Sequence, residues 1–206
     1  MAAAAILSGC NFISYKGNGE TSCKTIKLSY DSDKDMETRT YEAGAFTGIR
    51  TQGAYDVKFT QADTISVKVS AKADVIDNLV VEVKDGILVL STSGKPIRSD
   101  VRAVITCPAL TSIEADGAVD LEISKLVTES LSIVVNGAGD VDIEGLEAGK
   151  LEVEVNGAGD VELAGKTGDC SLSIAGAGDI DARDLTVSGS FTKSVKGVGN
   201  IRMPRK

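Results

Sequence analysis

The sequence contains no histidine and no tryptophan, and aromatic residues make up only 4% of its 206 residues. Without histidine the chain lacks the most common general base, and no Ser-His or Cys-His catalytic pair can form. An ordinary zinc site is also excluded, because the chain has neither histidine ligands nor a Cys-x-x-Cys pair. The scarcity of aromatic rings argues against a sugar-cleaving cleft, since such clefts favour aromatic platforms.

Basic residues are also in the minority, with 22 lysines and arginines against 30 aspartates and glutamates and a formal net charge of −8. This balance argues against nucleic acid as a partner, because phosphate backbones are bound through lysine and arginine. No stretch approaches the roughly 20 apolar residues that a membrane-spanning helix needs. Hydrophobic residues nevertheless make up 42% of the chain, which is enough for a substantial packed core.

What the sequence has instead is a pentapeptide that returns at a nearly fixed interval. Gly-Ala-Gly-Asp followed by an aliphatic residue begins at Gly137, Gly157 and Gly176, and divergent copies begin at Gly117 and Gly197. By subtraction, the starting positions are 20, 20, 19 and 21 residues apart. A fixed period of this length predicts one structural unit per repeat, with each unit stacked on the next.

Within one repeat, apolar side chains alternate with others in two short runs on either side of the glycine-rich corner. The alternating residues in one such repeat are Leu131, Ile133, Val135, Val141 and Ile143. Alternation places one face of a strand in the core, so each repeat is predicted to be strand, corner, strand and second corner, with roughly five or six buried aliphatic side chains.

The phase of the repeats predicts which residues share an inward column. Ile133, Val153 and Ile174 are expected in one column. Cys170 is expected in the inward position that Leu131 and Leu151 occupy in earlier repeats, as a small buried hydrophobe.

The predicted fold is therefore all-β: a parallel β-helix-like solenoid with rungs of about 20 residues. A meander of hairpins would also alternate, but it would not need the same corner in the same phase at every repeat. A partly antiparallel β region is predicted before the solenoid, over residues 40–108. Its signals are a hairpin turn at Asp85-Gly86, a strand at residues 66–70, a short helical or loop turn at 74–79, and an early divergent corner at 53–57.

The first residues carry a localisation signal. A short run of small apolar residues leads into Leu-Ser-Gly-Cys at positions 7–10, which resembles a bacterial lipobox with Cys10 as the lipidated residue. The alternative is a chance cysteine after a small-residue tract. The lipobox hypothesis predicts an outer-membrane lipoprotein of the cell envelope, divided into a signal-like segment (1–10), a linker (11–39) and a β domain (40–206).

Three groups of residues together resemble a known family. They are residues 45–61, residues 78–90 with their Asp-Gly turn, and the repeated Gly-Ala-Gly-Asp corners. Over residues 40–203 the chain resembles the head GIN domain family, whose members are described as auto-transporter adhesins. The resemblance implies an all-β, β-helix-like protein of the cell envelope, and it carries over no catalytic residue and no cofactor.

The repeated corner aspartates are the main candidates for chemistry. Stacked repeats would place Asp120, Asp140, Asp160 and Asp179, followed by Asn200, in a column with steps of roughly 5 Å. The favoured hypothesis is that each carboxylate caps backbone N–H groups at its corner. Weak calcium binding and catalysis are the alternatives, although the chain lacks the nonapeptide spacing of known calcium-binding repeats.

These observations lead to a functional hypothesis. The chain is predicted to be a non-enzymatic envelope lipoprotein that acts as an adhesin or another binding or scaffold module. Its expected ligand is a glycan or protein of the envelope or of a host surface, with membrane attachment through the N-terminal lipid and no catalytic residue, metal or cofactor. The alternative is a polysaccharide-active enzyme that uses Asp140, Asp160 and Asp179.

Two smaller features complete the sequence predictions. Asn136 and Asn156, one repeat apart, are expected to form an amide ladder rather than a ligand site. The basic run at residues 202–206, which includes a proline, is expected to stop a further strand from adding to the open solenoid end. Membrane binding is the alternative role for that run.

Overall fold

The computed structural model describes residues 24–31, 36–94 and 101–203, and it describes side chains from residue 36 onward. Cys10 and the predicted lipobox therefore lie outside the described residues, as does Cys23. The described chain is all-β, with fourteen strands in one mixed sheet and one helix of four residues.

The elements follow one another with short connections. In chain order they are β1 (Lys24–Asp31), β2 (Met36–Glu42), β3 (Gly48–Gln61), β4 (Ser66–Lys72), α1 (Ala73–Ile76), β5 (Leu79–Lys84), β6 (Ile87–Thr92), β7 (Arg102–Cys107), β8 (Ser112–Ile123), β9 (Leu126–Val135), β10 (Val141–Val155), β11 (Val161–Ile174), β12 (Ile180–Val187), β13 (Phe191–Val195) and β14 (Ile201–Arg202).

The first part of the chain is partly antiparallel, as the sequence predicted. β1 pairs with β2, β2 with β4, β4 with β7, and β5 with β6, all antiparallel. Asp85 and Gly86 turn the β5–β6 hairpin with φ angles of 51° and 77°, the left-handed pair that a primed two-residue turn requires. The segment predicted as a linker contains β1 and the start of β2, and the domain boundary at residue 40 stays a prediction.

The early copy of the corner is confirmed by the register between β3 and β8. These two strands run parallel, with Gly53 opposite Gly117 and Asp56 opposite Asp120. β3 is therefore the structural repeat that precedes β8, although β4 to β7 intervene in the sequence.

From β8 onward, each repeat pairs in parallel with the repeat before it. The corner alanines mark the register through single parallel bridges that join Ala118, Ala138, Ala158, Ala177 and finally Val198. Backbone hydrogen bonds follow the same step, as in Ala158 N–H to the Gly137 oxygen at 2.8 Å. The sequence period is thus the pairing interval of the strands. At the level of fold class the structure is an all-β mixed sheet, and a regular β-helix remains a prediction.

The buried columns match the predicted phase with one correction. Leu131, Leu151 and Cys170 occupy one position in successive repeats, and each is at most 3% exposed. The next inward column contains Ile133 and Val153, as predicted, but the prediction that Ile174 follows them is wrong.

Leu172 occupies that place in the column, and Ile174 pairs with Val155. The reason is a shorter repeat. Leu163 lies 20 residues after its partner Ile143, whereas Gly165 lies only 19 after Leu146, so one residue is lost between Leu163 and Gly165.

Glycine recurs at the corners because backbone packs directly on backbone there. A Cβ atom on Gly157 would lie 1.7 Å from the carbonyl oxygen of Gly137. The same approach recurs at 1.9 Å for Gly176 over Gly157 and at 1.8 Å for Gly197 over Gly176. No side chain fits at such a distance, and no flexible group can move aside, because the obstructing atom belongs to the main chain.

We therefore predict that Gly157→Ala destabilises the protein by more than about 3 kcal/mol. Overpacking alone costs about 1–3 kcal/mol, and here the added carbon must also break the Ala158–Gly137 hydrogen bond to find room. Gly44→Ala is the matched control, because Gly44 is exposed and a Cβ there meets nothing within 4 Å. Urea unfolding of both variants measures the effect, and equal stabilities would contradict the backbone-contact explanation.

Candidate functional site

The repeated corner forms an exposed strip along the stacked repeats. Asn136, Ala138 and Asp140 are exposed, whereas the glycines between them are half-buried. Alternate residues of an extended segment share one face, so the three exposed side chains point to the same side. The parallel register places their counterparts of the next repeat beside them. We call this surface, formed by residues 136, 138 and 140 and their equivalents in the neighbouring repeats, the corner strip.

The aspartate column of the corner strip bonds across repeats. The backbone N–H of Asp160 donates to Oδ1 of Asp140 at 3.3 Å, and that of Asp179 donates to Oδ1 of Asp160 at 2.8 Å. Asn200 N–H continues the series to Oδ1 of Asp179 at 2.8 Å. Each of these carboxylates thus accepts from the corresponding residue of the following repeat. Asp120 stands one repeat earlier, opposite Asp56 in β3.

The amide ladder predicted for the corner asparagines is confirmed. Asn156 Nδ2 donates to Oδ1 of Asn136 at 3.1 Å, and Asn136 Nδ2 donates to Oδ1 of Asp116 at 2.7 Å. Side chains therefore link adjacent repeats from Asp140 to Asn200 along one edge of the corner strip and from Asp116 to Asn156 along the other.

The arrangement of the acids bears on the calcium and enzyme alternatives. Among the described residues, no three carboxylates, histidines or cysteines converge on a point where a metal ion could be held. The aspartates repeat along a line instead, and an exposed line of like charges is screened by water and salt.

A shallow groove of about 360 Å³ lies elsewhere, at the second corner of the repeats. Glu147 is the only carboxylate among its lining residues, and Lys166 is its parallel neighbour. Asp140, Asp160 and Asp179 do not line this groove. The structure therefore does not bring the aspartate column and the concave surface together.

Sequence reasoning missed two aspartates with strong hydrogen-bond partners. Asp169 accepts from the backbone N–H of Ser190 at 2.8 Å and from its hydroxyl at 2.7 Å, and these bonds lower the pKa of Asp169. Asp181 accepts from the guanidinium groups of Arg183 and Arg202, and the Arg183 bond in particular holds its pKa well below the usual range. The available signal was spacing, since Asp169 and Ser190 lie 21 residues apart, the length of the last repeat.

The two described cysteines are free thiols within the core. Burial raises the pKa of Cys170 to about 11 and also raises that of Cys107, so both are protonated at neutral pH. Cys170 thus behaves as the small buried hydrophobe that the sequence predicted. Across the described ranges, no helix has the length and apolarity needed to cross a bilayer.

For the aspartate column we predict a structural rather than a cation-binding effect. Asp160→Asn should retain most stability, because the amide oxygen can still accept the Asp179 N–H. Asp160→Ala should cost about 0.5–2 kcal/mol, by analogy with the loss of a helix cap. Thermal melts measure both variants with and without calcium. Asp142→Ala, which removes an exposed carboxylate from the same repeat, is the control.

Calcium should leave the melting temperature of all four proteins nearly unchanged. A rise in the wild type that grows with calcium concentration, and that disappears in Asp160→Asn, would instead show ligand-linked stabilisation at the column.

Comparison with known proteins places the chain from residue 45 onward in one family. The family model described as "Putative auto-transporter adhesin, head GIN domain" matches residues 45–204. No curated protein matches the chain.

Solved structures agree with the family match. A "putative adhesin" from Bacteroides fragilis is 26% identical, with a TM-score of 0.68, over 83% of this chain and 97% of that one. A "putative adhesin" from Parabacteroides merdae is 19% identical, with a TM-score of 0.64, over 82% of each chain. A "putative lipid binding protein" from Parabacteroides distasonis is 18% identical, with a TM-score of 0.59, over 86% of this chain and 99% of that one. The last two support the fold alone. By the family match over residues 45–204, and as the repeated corners indicated, this chain belongs to the head GIN domain family.

Proposed function

We propose that this protein is a non-enzymatic binding module of the bacterial cell envelope, with its repeats wound into a β-helix-like solenoid. The observation that carries the proposal is the corner strip, which repeats an exposed alanine and a following aspartate in successive repeats over a buried core. A surface of this kind suits an extended or repetitive ligand, as in other stacked-repeat proteins. Membership of an adhesin-like family supports a role at the cell surface.

The solenoid part of the proposal is supported by three observations that share one interval. Parallel pairing, corner backbone contacts and buried columns all advance by one sequence repeat. A long strand such as β10 (Val141–Val155) contributes six buried aliphatic side chains, which fits the estimate for one full rung: Val141, Ile143, Leu146, Leu151, Val153 and Val155.

A binding role is favoured over the polysaccharide-active enzyme because of where the acids lie. Glycoside hydrolysis normally needs two carboxyl groups that flank a bound sugar at a separation of about 5–10 Å. The groove at the second corner offers Glu147 but no second acid, and the aspartate column engages its Oδ1 atoms with backbone N–H groups.

The test is a binding screen of the full chain against arrayed bacterial and host glycans and envelope proteins. Ala158→Arg places a long side chain in the middle of the corner strip, and Ser130→Arg places the same side chain at an exposed position of the second corner. We expect Ala158→Arg to lose binding to any ligand found, and Ser130→Arg to keep it. Release of sugar fragments from an arrayed glycan, abolished by Asp160→Asn, would instead establish the enzyme.

The proposal includes anchoring of the module through a lipid on Cys10, in the outer membrane of the envelope. In a bacterial host, with a lipoprotein signal placed ahead of residues 7–10, the protein should take up labelled fatty acid and enter the membrane fraction. Cys10→Ser should abolish both effects, and Cys23→Ser, the neighbouring cysteine, should change neither. Equal labelling of Cys10→Ser and wild type would show that the lipobox hypothesis is wrong.

A further inference from the structure

The last repeat differs from the others in the exposure of its inward positions. In β13 (Phe191–Val195), the residues Phe191, Lys193 and Val195 pair with Cys170, Leu172 and Ile174 of β11. The three β11 residues are at most 3% exposed, whereas Val195 is 43% exposed and Lys193 is also exposed. A lysine thus stands where earlier repeats place Leu172 and Val153. By their register these residues occupy inward positions, but no following repeat in the described chain covers them.

The main chain of β13 is also open on one side. Ser190 C=O accepts from Cys170 N–H and Lys196 N–H donates to Ile174 C=O, both at 2.8 Å, so the even-numbered residues face β11. N–H and C=O groups of alternate residues point to opposite sides of a strand. Phe191, Lys193 and Val195 therefore direct theirs away from β11, and β11 is the one described strand that pairs with β13. We call this row of three residues the open edge.

The open edge has the opposite charge to the body that carries it. Residues 112–184 contain 17 acidic and four basic residues, whereas residues 185–206 contain five basic residues and no acidic one. Lys193 and Lys196 are exposed, and neither forms an ion pair within the described part of the chain. Two apolar side chains of the same repeat, Val195 and Val198, are exposed as well, at 43% and 79%.

We propose that the open edge binds an acidic, extended segment of a partner protein as an added parallel strand. Main-chain hydrogen bonds to Phe191, Lys193 and Val195 hold the segment, as in other cases of strand addition. Its side chains continue the columns of the repeats, with a carboxylate beside Lys193 and apolar residues beside Phe191 and Val195. The proposal rests on the binding function proposed above and adds to it a second surface and a class of partner.

Charge also disfavours a second copy of this chain as the partner of the open edge. Two open edges that met antiparallel and centred on Lys193 would place Lys193 of one copy opposite Lys193 of the other, and like charges on adjacent strands repel. The basic run at residues 202–206, predicted to stop a further strand from adding to the open solenoid end, begins in β14 (Ile201–Arg202), and its proline closely follows that strand in the sequence. β13 contains no proline, so its edge can still accept a strand of suitable charge.

The experiment measures binding of the full chain to two peptides that differ at one position. The first, Phe-Thr-Glu-Ser-Val with solubilising ends, copies β13 with glutamate in place of lysine. The second, Phe-Thr-Lys-Ser-Val, is the strand itself. We expect binding of the first peptide, roughly tenfold weaker binding of the second, and the reverse preference in Lys193→Glu. Lys166→Glu, an exposed charge reversal in another repeat, should keep the wild-type preference.

Two further measurements test strand addition with the wild-type protein alone. The glutamate peptide with N-methylated amides should not bind, because it cannot form the ladder. Hydrogen exchange with the unmodified peptide should show new protection at the amides of Phe191, Lys193 and Val195. Absence of binding, an unchanged preference in Lys193→Glu, or protection elsewhere would each overturn the proposal.

Other partners give different outcomes in the same experiment. Binding to vesicles of phosphatidylglycerol but to neither peptide would assign the basic end to a membrane surface and overturn strand addition. If neither peptide binds and Ala158→Arg loses binding to an arrayed ligand, the corner strip remains the proposed binding surface. Only the proposal for the open edge is then overturned.

Discussion

The structure depends on the direct contact of main chain with main chain at the corners. Adjacent strands in a sheet lie about 4.8 Å apart, and at this spacing the glycine of one corner presses on the carbonyl group of the corner before it. The space that a Cβ would need is occupied by an oxygen 1.7 Å away at Gly157. Glycine is therefore required by stacking itself, and each repeat can take only one register on its neighbour.

The fixed register gives every other feature its place. It aligns inward residues such as Leu131 and Leu151 into buried columns, and it aligns Asn136 with Asn156 closely enough for a hydrogen bond of 3.1 Å. It also places the carboxylate of Asp160 under the backbone N–H of Asp179. The exposed surface consequently repeats with the same period as the core, so equivalent exposed side chains form strips along the stacked repeats.

A stack of repeats has two ends, and in this chain the strands at the two ends are paired differently. At the first end, β3 (Gly48–Gln61) pairs in parallel with β6 and β7, and antiparallel pairs then lead from β7 through β4 and β2 to β1. At the other end, β13 (Phe191–Val195) has two exposed inward positions, Lys193 and Val195, and carries lysine in place of an aliphatic residue. An unpaired edge strand with charged residues resists pairing with the same strand of another copy. The positive charge of β13 favours pairing with an acidic strand instead.

The sequence by itself determined the period and the identity of most inward residues. It also determined the early corner opposite Gly117, the Asp85-Gly86 hairpin and the family. Each of these features rests on local pattern or on the spacing of equivalent residues. Only the tertiary structure decided where the period slips. The residue that the 19-residue interval lacks is lost between Leu163 and Gly165, and the interval alone does not reveal that place. That Leu172 rather than Ile174 follows Val153 was already implied by the sequence, because Cys170, two residues before Leu172, follows Leu151. Tertiary structure likewise decided that Asp140 accepts from the next repeat and that Lys193 is uncovered, because both depend on which backbone groups remain unpaired after the strands have stacked.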